Sequence, residues 1–435
     1  MKHKWILAVA MIAVVALLVA MFSGFSPTNI HLLNSKPVVS ISYPSSGASV
    51  WGLVMISGTA SDPDGNVNSV EVKIGDGEWV GADGTLLWSF TWDTYGYENS
   101  RFTISARSWD GKDYSDVRTI TVSVGNPAES DSGSHNYAIF IAAANFPADN
   151  ESKLGNGGLF LAEDMAAYLI KNCQYATSHI TILFDDGWIR SDNGYGAKEK
   201  TLQQRPHEYN IMYGGATKTN VMNAFERLIN QSNSYEDSEV FIWVFNHGAG
   251  DLENGLTGGK LLKSSEIFLW DDTLSDKELG DILSPLESSK VTLLIDACYA
   301  GGFADRTIFN LRTSLFFRSG IPENGRVVIA GTSKFRSGFA STAQGPIFTL
   351  LWFEGLSTGS ADGFRPGVLD LGKPGVLKLF QDGKVSVEEA FYYARYMLRT
   401  DENLKDFRSM QPQINDQYPH RGVLRSRGGL VLGSD

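Results

Sequence analysis

Two near-continuous apolar runs, VFIWVF over 240–245 and VTLLI over 291–295, each break off at a reactive side chain. Runs of this kind, without polar alternation, are what strands buried on both faces look like, and they predict a parallel sheet covered by helices. YAIFIAAA, HITILF and RVVIAG read the same way. Between the runs, apolar residues recur at helical spacing and predict helices over 162–173, 220–231 and 276–283. Ser275-Asp276-Lys277-Glu278 has the form of a capping box and marks the start of the last of these. Strand and helix in alternation give a doubly wound α/β layer, and the crossover helix makes the two strands it joins parallel.

Residues 37–125 follow a different rule. Short strands such as SVEVKI and RTITVSV alternate apolar and polar positions, and turn clusters such as Asp62-Pro63-Asp64-Gly65 and Gly75-Asp76-Gly77 separate them. This predicts an antiparallel β-sandwich that resembles bacterial and archaeal immunoglobulin-like modules, with Trp88, Trp92 and Trp109 in its core. Asp62 and Asp64 read as turn formers ahead of a calcium site. A polar linker over 126–135 leads to the α/β unit, 136–435.

The N-terminus holds Lys2 and Lys4, then an uncharged apolar run from Trp5 to Phe22, so residues 1–26 read as an export signal or an anchor. No good small-x-small site follows, since Pro27 stands directly after Gly24-Phe25-Ser26, and this favours an uncleaved anchor. The remainder is then expected on the extracellular face of the membrane, or secreted if the segment is cut. With 37 basic against 49 acidic residues the formal charge is -12, and no basic stripe offers itself to nucleic acid. The two cysteines, Cys173 and Cys298, and the scattered histidines have no metal-ligand spacing, so neither metal nor cofactor is expected. Cys173 falls on a predicted amphipathic helix and reads as a buried thiol.

His247 and Cys298 stand just past the carboxyl ends of the two apolar runs, fifty-one positions apart. Ligands of open α/β sheets bind beyond those ends, so neighbouring strands would bring an imidazole and a thiol to one rim. That is the layout of a cysteine nucleophile and its base. Gly248, lacking a side chain, lets a backbone N–H approach a substrate carbonyl, and with the N–H of Cys298 it can form an oxyanion hole. Gly301 and Gly302 permit a tight exit from the nucleophile.

The stretch from Asn136 to about Tyr396 resembles the legumain and caspase superfamily of cysteine endopeptidases. The resemblance rests on YAIFIAAANF, Asp164, ITILFDD, the Arg205-Pro206 loop, Asn246-His247-Gly248-Ala249, Asp296-Ala297-Cys298, GPIFTLLWFEGLSTGSADG and DGKVSVEEAFYYA. It implies a caspase-like, mostly parallel sheet behind the sandwich, a Cys298–His247 dyad, and a protein or peptide substrate. Asp296 stands where related enzymes carry a pocket-lining acid, which implies a basic residue before the cut, while capping of backbone N–H groups is the structural alternative. Thr332 and Ser333 are expected to help line that pocket. Phe160 replaces an arginine that legumain uses for asparagine, which argues against strict asparagine specificity.

A transpeptidase using the same dyad and an inert surface-binding protein are the competing readings. The sandwich is expected to position the enzyme at the cell surface or to bind a partner there. Arg306, Arg312 and Arg318 suggest self-cleavage after the nucleophile.

Overall fold

The structure is a computed structural model and describes residues 34–94, 96–126, 134–144, 154–187, 189–190, 200–201, 211–250, 265–304, 319–366, 376–378, 381–419 and 429–434. The N-terminal segment 1–26, the Arg205-Pro206 loop and Arg306, Arg312 and Arg318 lie outside the described residues, as does most of the linker. Among the described residues no helix is long and apolar enough to cross a membrane.

The chain opens with an immunoglobulin-like β domain. Its main strands are β1 (Val38–Tyr43), β2 (Leu53–Ser61), β3 (Ser69–Ile74), β4 (Leu87–Asp93), β5 (Arg101–Trp109) and β6 (Arg118–Val124). One sheet is built on β1-β2-β4 and the other on β6-β5-β3, with antiparallel pairing along each series. SVEVKI alternates as its sequence demands, with Val70, Val72 and Ile74 turned into the core. Trp88 and Trp92 are buried there. Trp109 is not. It lies half-exposed against Tyr114, because it shares the outward parity of Arg107 on β5. The Asp62 carboxylate accepts the Asp64 N–H at 3.0 Å, which is the turn-forming role expected of it.

The second unit is a mixed seven-stranded sheet with helices on both faces. Its strands are β7 (Asn136–Ala143), β8 (Ile180–Phe184), β9 (Met212–Gly214), β10 (Glu239–Asn246), β11 (Lys290–Asp296), β12 (Arg326–Ala330) and β13 (Gln413–Asp416). Their order is β9-β8-β7-β10-β11-β12-β13, parallel except for the last pair. Helices α1 (Gly157–Cys173), α2 (Lys218–Ser232), α3 (Asp276–Leu283), α4 (Ile347–Ser357) and α5 (Val387–Thr400) cover it. Ala138 and Phe140 of β7 face the α1, α4 and α5 layer, and Tyr137, Ile139 and Ile141 face α2 and α3. Burial on both faces is thus why the inner strands carry near-continuous apolar runs such as VFIWVF.

Helix α3 begins at Asp276, with Ser275 accepting the Glu278 N–H at 3.2 Å. The Glu278 carboxylate pairs with Lys218 at 2.6 Å. Helix α1 starts at Gly157, earlier than its apolar spacing suggests, because its first residues are glycines that carry no pattern. A Cβ at Gly158 would overlap the Phe245 ring, so the small residue sets how closely α1 lies on the sheet. Cys173 closes α1 as a buried free thiol, pushed up to about 12 by burial. Asp382-Gly383-Lys384 form a turn into α5, which Ser386 and Glu389 start with a full capping box.

The sandwich packs on the β9 edge of this sheet. On β2 both faces are buried from Val54 to Gly58, with Val54 and Ile56 in the sandwich core and Met55 and Ser57 turned outward. A Cβ at Gly187 would overlap the Met55 sulfur, and one at Gly214 would touch Thr91 and Leu53. Ser89 Oγ donates to the Asp186 carbonyl at 3.2 Å, and Arg227 of α2 is paired with Asp93.

Gly58 offers a clean test of the sandwich, since a Cβ there would overlap the Ser40 carbonyl oxygen on the neighbouring strand. Gly58→Ala is expected to lower stability by roughly 3 kcal/mol or more, the range of severe steric substitutions. Urea unfolding of the full chain measures it, and a change under 1 kcal/mol, the size of an ordinary surface effect, contradicts the packing described.

Candidate active site

The register of β10 and β11 decides where the two reactive residues fall. Glu239 pairs with Lys290 and Phe245 with Asp296, an unbroken parallel ladder. His247 and Cys298 each lie two positions beyond that last pair, so they emerge together at the carboxyl rim. The separation of fifty-one residues seen in the sequence is the register offset itself. Gly248 lies against the Cys298 backbone, and a Cβ on it would overlap the Cys298 carbonyl oxygen. Beyond it the chain joins a small antiparallel ribbon in which Gly248 pairs with Ile267, and the Phe268 N–H donates to the His247 carbonyl at 3.0 Å.

Both residues are half-buried. The Cys298 sulfur accepts the Gly338 N–H at 3.2 Å and lies 3.9 Å from the Gly338 carbonyl. Burial pushes the thiol above its ordinary value, the Gly338 N–H opposes that rise, and the Asp296 charge adds to it. The resting group is therefore a thiol at neutral pH, and its attack on a carbonyl needs a base.

The turn carrying Cys298 is held from three sides. Thr332 Oγ1 donates to the Ala297 carbonyl at 2.8 Å and accepts the Ala300 N–H at 3.0 Å, tying the turn's two ends. The Tyr299 N–H donates to the Arg336 carbonyl at 2.8 Å, and Tyr299 itself sits at φ +60, a left-handed conformation that costs a non-glycine residue about 1 kcal/mol. Ser265 Oγ donates to the Tyr299 carbonyl at 2.6 Å and accepts the Gly302 N–H at 3.0 Å. Gly301 and Gly302 serve close approach here: a Cβ on the first would overlap the Lys334 N–H, and on the second the Ser265 hydroxyl.

The residues expected to line a substrate pocket lie deeper. Asp296 is 2% exposed, and both hydrogen bonds described for its carboxylate fall on Oδ2, from the Thr349 N–H and hydroxyl at 2.9 Å. Thr349 stands in the first turn of α4, whose N-cap is Pro346 and provides no side-chain acceptor. Asp296 therefore caps that helix from another strand, and Trp243 of β10 donates to the same Thr349 hydroxyl at 3.2 Å. Thr332 and Ser333 are fully buried; the first is spent on the Cys298 turn, and the second has no partner for its hydroxyl among the described residues. Among the described residues all three side chains are buried, and the contacts of Asp296 are those of the capping alternative to a pocket role. A strand end marks where a side chain leaves the sheet, not whether it turns up to the rim or back under it. Thr332, expected near the site, holds the Cys298 turn instead, while Gly338 and Ser265, which also contact it, carried no signal beyond small size.

Among the described residues no group of three or more His, Cys, Asp and Glu could hold a metal ion.

Residues 37–106 match the family model described as a bacterial Ig domain. No curated protein matches the chain. Among solved structures, caspase-1 from Spodoptera frugiperda aligns with 65% of this chain and 86% of its own, at 13% identity and a TM-score of 0.34. The fibronectin(III)-like modules of CbhA from Clostridium thermocellum align with 21% of this chain and 100% of theirs, at 24% identity and a TM-score of 0.19. The endo-beta-1,4-mannanase from Thermotoga petrophila aligns with 21% of this chain at 15% identity and a TM-score of 0.20, and the chain spans 20% of that protein.

Two measurements probe the site's scaffold. Thr332→Val keeps the side chain's shape and removes both turn bonds, so it is expected to cost about 1–3 kcal/mol, the penalty for buried groups left unpaired, readable by urea unfolding. Burial pushes the Asp296 carboxyl from its ordinary 3.8 up to about 6, against the lowering by Thr349. The folded chain then holds a proton that the unfolded chain has lost, so this contribution to stability falls as pH rises through that window. Asp296→Asn should remove that component from a stability profile taken between pH 4 and 7; a component unchanged in the variant assigns it to another group.

Proposed function

We propose that the chain is a cysteine endopeptidase with a caspase-like second unit, Cys298 its nucleophile and His247 its general base and acid. The observation that supports this reading is the β10–β11 register, in which His247 and Cys298 lie equally far past the last pair of two neighbouring strands. The close approach of Gly248 to the Cys298 backbone supports it.

The chemistry follows from the side chains. His247 takes the Cys298 proton as sulfur attacks the substrate carbonyl carbon, and the carbonyl oxygen gains charge facing the N–H groups of Gly248 and Cys298. The C–N bond then breaks, His247 gives its proton to the departing amine, and a thioester remains. Water, deprotonated by His247, attacks the thioester and releases the acid and the free thiol. Capture of the thioester by a second amine in place of water would make the same site a transpeptidase.

We also propose that the chain acts outside the cytoplasm, held or exported by its apolar N-terminal run. The contacts of Asp296 support capping, so it provides no argument for a basic residue before the cut.

A peptide-library digestion, read by mass spectrometry with and without an added amine, tests the assignment. Wild type is expected to cut and Cys298→Ala to lose at least a thousandfold, since removing a nucleophile leaves only residual catalysis of that order. Equal silence of the two chains under every condition where the wild type is folded would favour a binding role.

A further inference from the structure

The sandwich and the α/β sheet enclose a cavity of about 560 Å³, within the range of small-ligand sites. Trp51, Leu53 and Met55 of the sandwich form one wall, and Leu159, Phe184 and Met212 of the second unit form another. Phe184 ends β8, Gly214 at the cavity's border ends β9, and Leu159 lies in the first turn of α1. The cavity therefore adjoins the carboxyl ends of β8 and β9, on the rim past which His247 and Cys298 also lie.

We infer that this cavity receives apolar side chains from the leaving-group half of a peptide substrate, so that the sandwich helps set cleavage specificity. The inference rests on the function proposed above and extends it. His247 must protonate the departing amine, so the amine half of the substrate passes on the His247 side of Cys298. That side is β10, then β7, β8 and β9, leading to the cavity. On the opposite side the loop after β12 occupies the rim with the Arg336 and Gly338 backbone. Strands lie about 4.8 Å apart, so the end of β8 is roughly 10 Å from that of β10, a span an extended peptide covers in about three residues. The third and fourth residues after the cut are therefore the ones that reach the cavity beside Phe184.

The lining fixes the chemistry of what enters. Most lining side chains, Leu53, Met55, Leu159, Phe184 and Met212 among them, are apolar, while Tyr43, Ser49 and Tyr213 add polar groups but no charge, so apolar or aromatic side chains gain and charged ones lose. The cavity has room for two such side chains but not for a folded partner.

The test uses the full chain and two otherwise identical peptides that differ only at the third and fourth positions after the cleaved bond, Phe-Phe in one and Gly-Gly in the other. The wild type is expected to favour Phe-Phe roughly tenfold in kcat/KM, the scale of discrimination by an apolar pocket. Trp51→Ala should bring that ratio close to one, and Trp51→Phe should retain most of it. As an independent readout, a tetrapeptide amide Gly-Ser-Phe-Phe should bind the Cys298→Ala chain at least tenfold more tightly than Gly-Ser-Gly-Gly. Cysteine-dependent cleavage with equal rates for the two peptides, or a preference untouched by Trp51→Ala, overturns the inference and leaves the endopeptidase reading standing. Absence of any Cys298-dependent cleavage removes both, a different signature.

Discussion

The parallel pairing of β10 with β11 is the constraint from which the rest of the site follows. Seven consecutive pairs, Glu239 with Lys290 through Phe245 with Asp296, fix a register that a slip of one residue would destroy. Such a slip would turn Phe241 and Trp243 from the α4 layer toward α2 and α3 and displace His247 from Cys298 together. Burial on both faces makes the slip costly, because Val240 to Phe245 of β10 and Val291, Leu293, Leu294 and Ile295 of β11 each have a place in one of two cores. The positions of residues 247 and 298 just past the paired strands are thus held by the hydrophobic packing of those strands.

Much of this was legible in the chain, for a physical reason. Strands buried on both faces announce themselves as apolar runs, and the equality between the His247–Cys298 separation and the strand offset was hidden in plain counting. The sandwich was legible because SVEVKI and its fellows alternate. What escaped were directions and distant partners. Trp109 faces outward because its parity follows Arg107, although tryptophan is usually core. Asp296 turns inward because α4, fifty residues on, lacks a side-chain cap of its own. Met55 and Ser57 mark a second contact surface on β2, and a methionine in an outward position was the available hint. The loop from Thr332 to Gly338 holds the Cys298 turn partly through the Arg336 and Gly338 backbone, which no residue type reports.

Asp296 belongs to a wider pattern of buried carboxylates that satisfy distant N–H groups. Glu388 accepts the Leu430 N–H at 2.9 Å, and burial, with the charge of Asp416 adding, pushes it up to about 8. Glu239 accepts the Gly433 N–H at 2.9 Å and the Tyr175 hydroxyl at 2.7 Å, and burial raises it too. Residues 429–434 are tied in this way to the start of β10 and of α5, while Lys290 donates to the Ser434 carbonyl at 2.7 Å. The penalty for burying a carboxyl is offset in each case by a backbone N–H that would otherwise be unpaired. An acid at the edge of an apolar run is therefore as good a sign of a structural latch as of a substrate pocket in this chain.

The sandwich's position has the same logic. Strand β9 is three residues long, and so short a strand forms few ladder bonds; its placement depends on what covers it. The cover is the outward face of β2 and the end of β4, packed through Leu53, Met55 and Thr91 and pinned by Asp93 on Arg227. Gly187 and Gly214 admit that approach only because they lack side chains. Shifting the sandwich would uncover the sheet's edge and open the wall beside Phe184, so stability of the edge and shape of the rim cannot vary independently. A domain attached for tethering alone would have no such coupling, and this one is built into the wall.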